Sequence, residues 1–154
     1  MITNNIETLA MKASERDPSD LKITLEEIHQ LEKTLAIRFS DEFKKGNLIY
    51  KYNIVGSFDF SSFPLGVEQE TIRLRKDANL PNDTLMLSED DASVWLMKCL
   101  GDHEEIYWIA VEDYYHYCDN EPLEYAPTIF PTFTDFFAYL LDKAEKQLEG
   151  EQIR

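Results

Sequence analysis

Thr132-Phe133-Thr134-Asp135-Phe136-Phe137-Ala138-Tyr139-Leu140-Leu141 is the stretch that decides the fold. Thr132 suits the N-cap of a helix, and Asp135 follows in the first turn, where an acidic side chain complements the helix dipole. Apolar residues continue at helical spacing as far as Leu148, and they form a face broad enough to cover one side of a sheet. The stretch therefore predicts a C-terminal amphipathic helix that packs on a sheet.

The sheet is predicted from three short runs of aromatic and branched residues at 84–87, 93–97 and 106–111. Residues 89–91 and 101–103 separate these runs and contain acidic and turn-forming residues, so hairpin connections follow. The segment between the last run and the closing helix contains three prolines and is predicted as a loop. We expect a central antiparallel sheet of about four to six strands.

Helices are also predicted ahead of the sheet. Thr24 and Glu27 have the spacing of a capping box, in which each side chain satisfies the other residue's free backbone N–H. Ser40 can cap a second, short helix, and residues 67–78 are a possible third. A weak one-sided apolar pattern in residues 1–16, ahead of a breaker that reaches residue 20, indicates a loosely docked N-terminal helix.

These elements together predict an α+β fold, with N-terminal amphipathic helices, a central antiparallel sheet and a C-terminal helix on the sheet. The length of 154 residues falls in the usual range for one domain, and 44% hydrophobic residues is enough for one core. We therefore expect a single domain over residues 1–154.

The charge balance limits the kinds of partner. There are 15 Lys and Arg residues and 30 Asp and Glu residues, which give a formal net charge of −15 at pH 7. Nucleic acid and anionic membrane surfaces would be repelled, whereas a basic protein would be attracted. Solvated surface charge without a binding role is the alternative.

Several features indicate the cytoplasm. The N-terminal residues lack the basic flank and apolar run of a signal peptide, and no stretch approaches the ~20 apolar residues of a membrane span. Cys99 and Cys118 make neither a Cys-x-x-Cys pair nor a disulfide framework. A reducing compartment is therefore expected.

Acidic residues are concentrated between Glu89 and Glu124, where eleven of them accompany a single basic residue, Lys98. Acidic side chains beside tyrosines suit a surface that binds a basic protein, because carboxylates steer the partner and exposed rings supply contact energy. A solubilising rim around the hairpins is the other interpretation. The candidate partner-binding residues are Glu89, Asp90, Asp91, Glu104, Glu105, Asp113, Tyr114, Tyr115, Asp119 and Glu121. Reversing the charges of Glu104, Glu105, Asp113 and Asp119 is expected to slow association and leave the fold intact.

Catalytic chemistry finds little support in the sequence. Asp113, His116 and Asp119 could hold a metal only on a helix, and their neighbours favour an irregular chain, so no metal site is predicted. Cys118 is expected to be an idle thiol, and phosphate-binding glycine motifs are absent. Paired carboxylates for acid–base catalysis stay open, because a sequence cannot show a raised pKa. No catalytic residue and no cofactor is predicted.

The two tryptophans could belong either to the core or to a ligand cage. Trp95 and Trp108 lie in predicted strands, where large aromatic side chains usually contribute to the core. We expect both in the core rather than in a cage.

The order of elements resembles the SUKH superfamily, in its Smi/Knr branch. The similar segments are residues 23–32, residues 39–43 and the closing stretch 132–140, together with the strand pair Tyr107-Trp108. The resemblance covers about residues 23–145 and rests on packing and capping motifs. The family usually has Leu-Pro before its second helix, where this chain has Phe39-Ser40.

The resemblance implies a non-catalytic role. Members of the family include immunity proteins that bind and neutralise polymorphic toxins, often nucleases, in bacterial competition. Other relatives are regulatory adaptors. The expected function is therefore direct binding of a basic toxin domain through an acidic surface, with a regulatory adaptor or scaffold as the alternative.

Overall fold

Six α-helices and six strands occur in residues 5–18, 21–60 and 62–153, which the computed structural model describes. The fold is α+β, as the sequence predicts. A 3-10 turn, Val111–Asp113, leads into the fifth helix. The helices are α1 (Ile6–Arg16), α2 (Leu25–Leu35), α3 (Asp41–Ile49), α4 (Leu65–Asp77), α5 (Tyr114–Cys118) and α6 (Phe133–Ile153). The strands are β1 (Ile54–Val55), β2 (Phe58–Asp59), β3 (Thr84–Glu89), β4 (Ser93–Cys99), β5 (Glu104–Ala110) and β6 (Thr128–Phe130).

The main sheet has the order β3-β4-β5-β6, and every neighbouring pair is antiparallel. This confirms the predicted antiparallel sheet. The strand β6 lies in the proline-containing segment that the sequence assigned to a loop, because three residues are too few to show an alternating pattern. The strands β1 and β2 form a separate hairpin, whose turn residue Gly56 has a φ of 63°.

The closing helix α6 covers one face of the sheet. Its predicted cap is confirmed, since the Asp135 amide donates to the Thr132 hydroxyl oxygen at 3.1 Å. Phe133, Phe136 and Phe137 are completely buried in an aromatic cluster that includes Phe58 and Tyr52. The side chain of Leu148, which the sequence assigns to the same face, lies outside the described side chains.

The helix α2 begins with the predicted capping box. The Glu27 amide donates to the Thr24 hydroxyl at 3.1 Å, and the Thr24 amide donates to the Glu27 carboxylate at 3.2 Å. Ile28, Leu31 and Leu35 face the core. Leu25 belongs to the same sequence pattern but is exposed, because it lies in the first turn at the rim of the core.

The N-terminal helix α1 packs more closely than the sequence indicates. It buries Ile6, Leu9, Ala10 and Ala13 in the main core and lies beside α3, where Ile6 contacts the position of Gly46. Four buried side chains in a helix of 11 residues do not fit a loosely docked segment. Residues 1–4 and 19–20 of the predicted segment lie outside the described residues.

The second face of the sheet carries a smaller core. Met86, Val94, Leu96 and Ile109 pack there against residues of α4 and α5. The edge strand β3 is covered by α4, and the Thr71 hydroxyl accepts a hydrogen bond from the Met86 amide at 3.2 Å. This bond satisfies a backbone donor that an uncovered edge would present to other chains.

Candidate protein-binding surface

The predicted acidic residues Glu89, Asp90 and Asp91 lie at the opposite end of the main sheet from Glu104. Ser93 pairs with Ala110, and the Val111 amide donates to the Ala92 carbonyl at 3.0 Å, so the β3–β4 turn lies beside the 3-10 turn. Glu104 begins β5 and pairs with Cys99 at the other end. Because β5 spans seven residues at about 3.4 Å each, the two ends are roughly 20 Å apart. Glu104 therefore lies far from the three acidic residues of the β3–β4 turn.

Glu104 lies inside the protein, with 1% of its surface exposed. Its two carboxylate oxygens accept hydrogen bonds from the Ser40 amide and the Ser40 hydroxyl, both at 2.6 Å. Burial raises the pKa of Glu104, and the two bonds from Ser40 oppose that shift. Glu104 thus joins β5 to the N-terminus of α3, where a carboxylate also complements the helix dipole. This corrects its expected position on a partner surface.

Glu105 lies at the same end of the sheet as Glu104 and is half-buried. Its carboxylate accepts a hydrogen bond from the Tyr107 hydroxyl at 3.2 Å, and its strand position is directly opposite Lys98. The charge of Glu105 is therefore partly balanced within the sheet.

Asp113 is a second buried carboxylate, with no exposed surface. It accepts hydrogen bonds from the amides of Glu124 at 2.8 Å and Tyr125 at 2.9 Å, and its Oδ1 lies 3.1 Å from His116 Nδ1. Burial by itself would raise the pKa of Asp113, but the bonds from these three partners outweigh it and the pKa is lowered. Asp113 therefore holds the loop after α5 in place and cannot contact a partner, which corrects its expected role.

The helix α5 overturns the expectation of an irregular chain. It ends in a Schellman motif: the Glu121 amide donates to the His116 carbonyl at 2.8 Å and the Asn120 amide to the Tyr117 carbonyl at 3.2 Å. Asn120 adopts the left-handed conformation that this motif needs, with a φ of 56°. The helix brings Asp113 and His116 to one face, but the described residues contain no group of three potential ligands arranged for a metal ion.

The two tyrosines at the start of α5 have different surroundings. Tyr114 is buried in the smaller core, which corrects its expected position on the surface. Tyr115 is 65% exposed, and its ring lies edge-on to Tyr114 at 5.5 Å between centroids. The buried ring thus supports the exposed one.

An exposed surface remains around α5 and the loop that follows it. Asp119 and Glu121 are predicted members of this surface. Tyr125 is not among the predicted residues, because its sequence neighbours do not show that Asp113, twelve positions earlier, fixes the loop. We call this the acidic tyrosine surface, and it consists of Glu112, Tyr115, Asp119, Glu121, Glu124 and Tyr125, all exposed.

The acidic tyrosine surface has a strong negative charge. Residues 110–127 contain no lysine or arginine, and neither do residues 89–92 of the neighbouring β3–β4 turn, where Glu89, Asp90 and Asp91 are exposed. Arg73 on α4 contributes a positive charge near Tyr114, and Glu70 binds it at 2.7 Å. The surface is therefore suited to a cationic partner.

Both cysteines are poor nucleophiles. Burial raises the pKa of Cys99 and of Cys118, so both thiols are protonated at neutral pH. A thiolate is the reactive form of cysteine, and these surroundings disfavour it.

The contact between Asp113 and His116 makes the stability of the loop after α5 depend on pH. Asp113 raises the pKa of His116 above 6.5, so the stabilising contribution of His116 is complete below pH 6.5 and is lost as the pH rises through the raised value. The lowered pKa of Asp113 has the opposite effect: its contribution is complete above 3.8 and is lost as the pH falls through the lowered value. We expect the amides of Glu124 and Tyr125 to be most protected from hydrogen exchange between about pH 4 and 6.5.

Nuclear magnetic resonance exchange rates, corrected for the intrinsic pH dependence, would measure this window. His116→Gln is the control variant, and it should remove the loss of protection above about pH 6.5. Protection that rises steadily from pH 6 to pH 8 in the natural protein would contradict the assignment.

No protein-family model, curated protein or solved structure matches this chain. Among the described residues, the helices are too short or too polar to cross a membrane.

Proposed function

We propose that this protein is a non-catalytic binding protein that recognises a basic protein through the acidic tyrosine surface. The observation that carries the proposal is the buried Asp113, which orders a loop whose exposed side chains are acidic and aromatic. A buried carboxylate with three hydrogen-bond partners is a specific arrangement. It gives the surface a fixed shape before a partner arrives.

The surface contains the two kinds of residue that binding of a basic protein requires. Its carboxylates attract and orient a cationic partner over distances longer than contact range. Tyr115 and Tyr125 are 65% and 53% exposed, so each can bury a large ring on binding. Tyrosine is enriched among the residues that contribute most to binding energy.

We further propose that the protein belongs to the SUKH superfamily and acts as a cytoplasmic immunity protein. The succession of the capped helix α2, the Ser40-capped helix α3, the antiparallel sheet and the phenylalanine-rich helix α6 supports this. Two free cysteines, one buried and one half-buried, suit a reducing compartment. The toxin would be a nuclease, whose basic substrate site would accept carboxylates in place of phosphates.

A capture experiment tests the function. The immobilised protein is exposed to lysate of its native host at low salt, and the retained proteins are eluted with rising salt and identified by mass spectrometry. A basic nuclease at equal stoichiometry, released by moderate salt, is the expected result, because exposed charge pairs are screened by salt.

Other results of the capture would change the proposal. Retention of housekeeping or signalling proteins in place of a nuclease would favour the regulatory adaptor. Retention of no basic protein would reject the binding surface itself.

A further inference from the structure

A separate pocket lies on the face of the sheet that α6 covers, between α6 and the β1–β2 hairpin. Its volume is about 110 Å³, which is room for several waters and therefore for one side chain. The floor and walls are apolar and include Trp95, Trp108, Phe58 and Leu140. The rim is polar and includes Ser57, Asp90, Lys143 and Gln147.

The two tryptophans form one aromatic wall. Their rings stack at 5.4 Å with an interplanar angle of 19°, and Phe58 lies edge-on to Trp95 at 5.4 Å. Both are half-buried, so part of each indole faces the pocket. Trp95 packs against the main core, as the sequence predicts, but both tryptophans also line this pocket.

Asp90 holds a fixed place on the rim. Its Oδ1 accepts hydrogen bonds from the amides of Ala92 at 2.8 Å and Ser93 at 2.7 Å, which fix the β3–β4 turn. The side chain is exposed, and its second oxygen is free to accept a bond from a ligand. The same turn lies beside the 3-10 turn, which contains Glu112 of the acidic tyrosine surface, whereas α5 lies on the opposite face of the sheet from the pocket.

We propose that this pocket binds one arginine side chain of the basic protein partner. An arginine can lay its methylene groups and its planar guanidinium against the indole wall while the guanidinium donates to the Asp90 carboxylate. The charge around the rim favours a cation: Glu89 and Asp91 flank Asp90, and Lys143 is the one basic residue among the described residues that line the pocket. That the arginine belongs to a basic protein partner rests on the proposed function. The pocket and the residues that line it do not depend on that function.

Arginine fits better than the other side chains that a basic protein offers. Lysine is a compact, strongly hydrated charge that gains less from a flat aromatic wall. A phenylalanine would fill the apolar part but leave Asp90 without a ligand. Of these three side chains, arginine is the best suited to contact both the indole wall and the Asp90 carboxylate.

A peptide titration tests the pocket without the partner. The probe is the blocked tripeptide acetyl-Gly-Arg-Gly-amide, with the Lys and Phe analogues for comparison. The chain has 2 Trp residues, and both line the pocket. Tryptophan fluorescence and the indole N–H resonances therefore report on this site directly. We expect saturable changes with the arginine peptide and weaker binding of both analogues.

Charge variants at the rim give opposite expected effects. Asp90→Asn keeps the Oδ1 acceptor of the turn but removes the charge, and should weaken binding about threefold. Lys143→Gln removes the like charge and should strengthen binding by a similar factor. Asp91→Asn is the matched control, because it removes a charge from the same turn but does not line the pocket, and its effect should be smaller than that of Asp90→Asn.

The outcomes separate this proposal from the proposed function. No perturbation by the arginine peptide, tighter binding of the Phe analogue, or weaker binding after Lys143→Gln would overturn the arginine assignment. Saturable arginine binding together with failure of the lysate capture would retain the pocket and reject the proposed partner.

Discussion

The substitution Gly46→Ala is expected to lower the free energy of unfolding by about 2–3 kcal/mol. A Cβ atom at this position of α3 would lie only 2.5 Å from Ile6 Cγ1 and closer still to the Tyr52 hydroxyl. Neither neighbour can move freely. Ile6 is buried, and Tyr52 is fully buried with its hydroxyl donating to the Phe43 carbonyl at 3.1 Å.

The sign of this effect distinguishes packing from helix propensity. Alanine stabilises an exposed helix interior by about 1 kcal/mol relative to glycine. A gain in stability would therefore contradict the close approach of α1 and Tyr52 to α3. Chemical denaturation would measure the change in the free energy of unfolding. The slope of this free energy against denaturant concentration should be unchanged if the folded and unfolded states keep their compactness.

A second variant tests whether the Tyr52 hydroxyl limits the space at Gly46. Tyr52→Phe removes the hydroxyl that the new Cβ would meet, at the cost of about 1 kcal/mol for its hydrogen bond. The double variant should then lose less stability than the sum of the two single changes. Strict additivity would show that the Tyr52 hydroxyl does not limit the space at Gly46.

Reversing four charges on the acidic tyrosine surface is expected to slow association with the captured basic partner about 100-fold at low salt. The replacements are Glu112, Asp119, Glu121 and Glu124, each changed to Lys. All four are exposed, so the fold should persist. The cause is the loss of electrostatic steering, which acts mainly on the association rate.

A matched control separates local charge from net charge. Glu7, Glu15, Glu26 and Asp142 are also exposed, and changing all four to Lys alters the net charge equally. The exposed ion pairs lost there, Glu7 with Lys45 and Asp142 with Lys146, contribute less than about 1 kcal/mol each. Surface plasmon resonance at two salt concentrations would compare the variants. Equal slowing by both variants would reject the acidic tyrosine surface as the binding site.

The choice of these four residues depends on the tertiary structure. The set that the sequence suggests for charge reversal includes Glu104 and Asp113. A lysine at either position would place a cation against the backbone N–H donors of Ser40 or of Glu124 and Tyr125. Such a variant would lose binding by losing its structure, and the result would not report on the surface.

The sequence by itself determined the local elements. The capping box at Thr24, the cap at Thr132 and the phenylalanine spacing of α6 depend on residues within a few positions of one another. The three strand runs likewise carry their own alternating or aromatic pattern. Periodicity and capping are short-range properties, so a single chain reveals them.

The tertiary structure alone decided which acidic residues face solvent. Glu104 is bound by Ser40, 64 positions away in the chain, and Asp113 is bound by the amides of Glu124 and Tyr125. A carboxylate that caps a distant helix and one that faces water look the same in a sequence. The same holds for Trp95 and Trp108, whose strands are evident from the sequence but whose pocket depends on where α6 and the β1–β2 hairpin stop covering the sheet. Burial depends on elements that meet only when the chain folds. The composition therefore indicates a basic protein as the class of partner, whereas the fold decides which acidic residues are exposed to it.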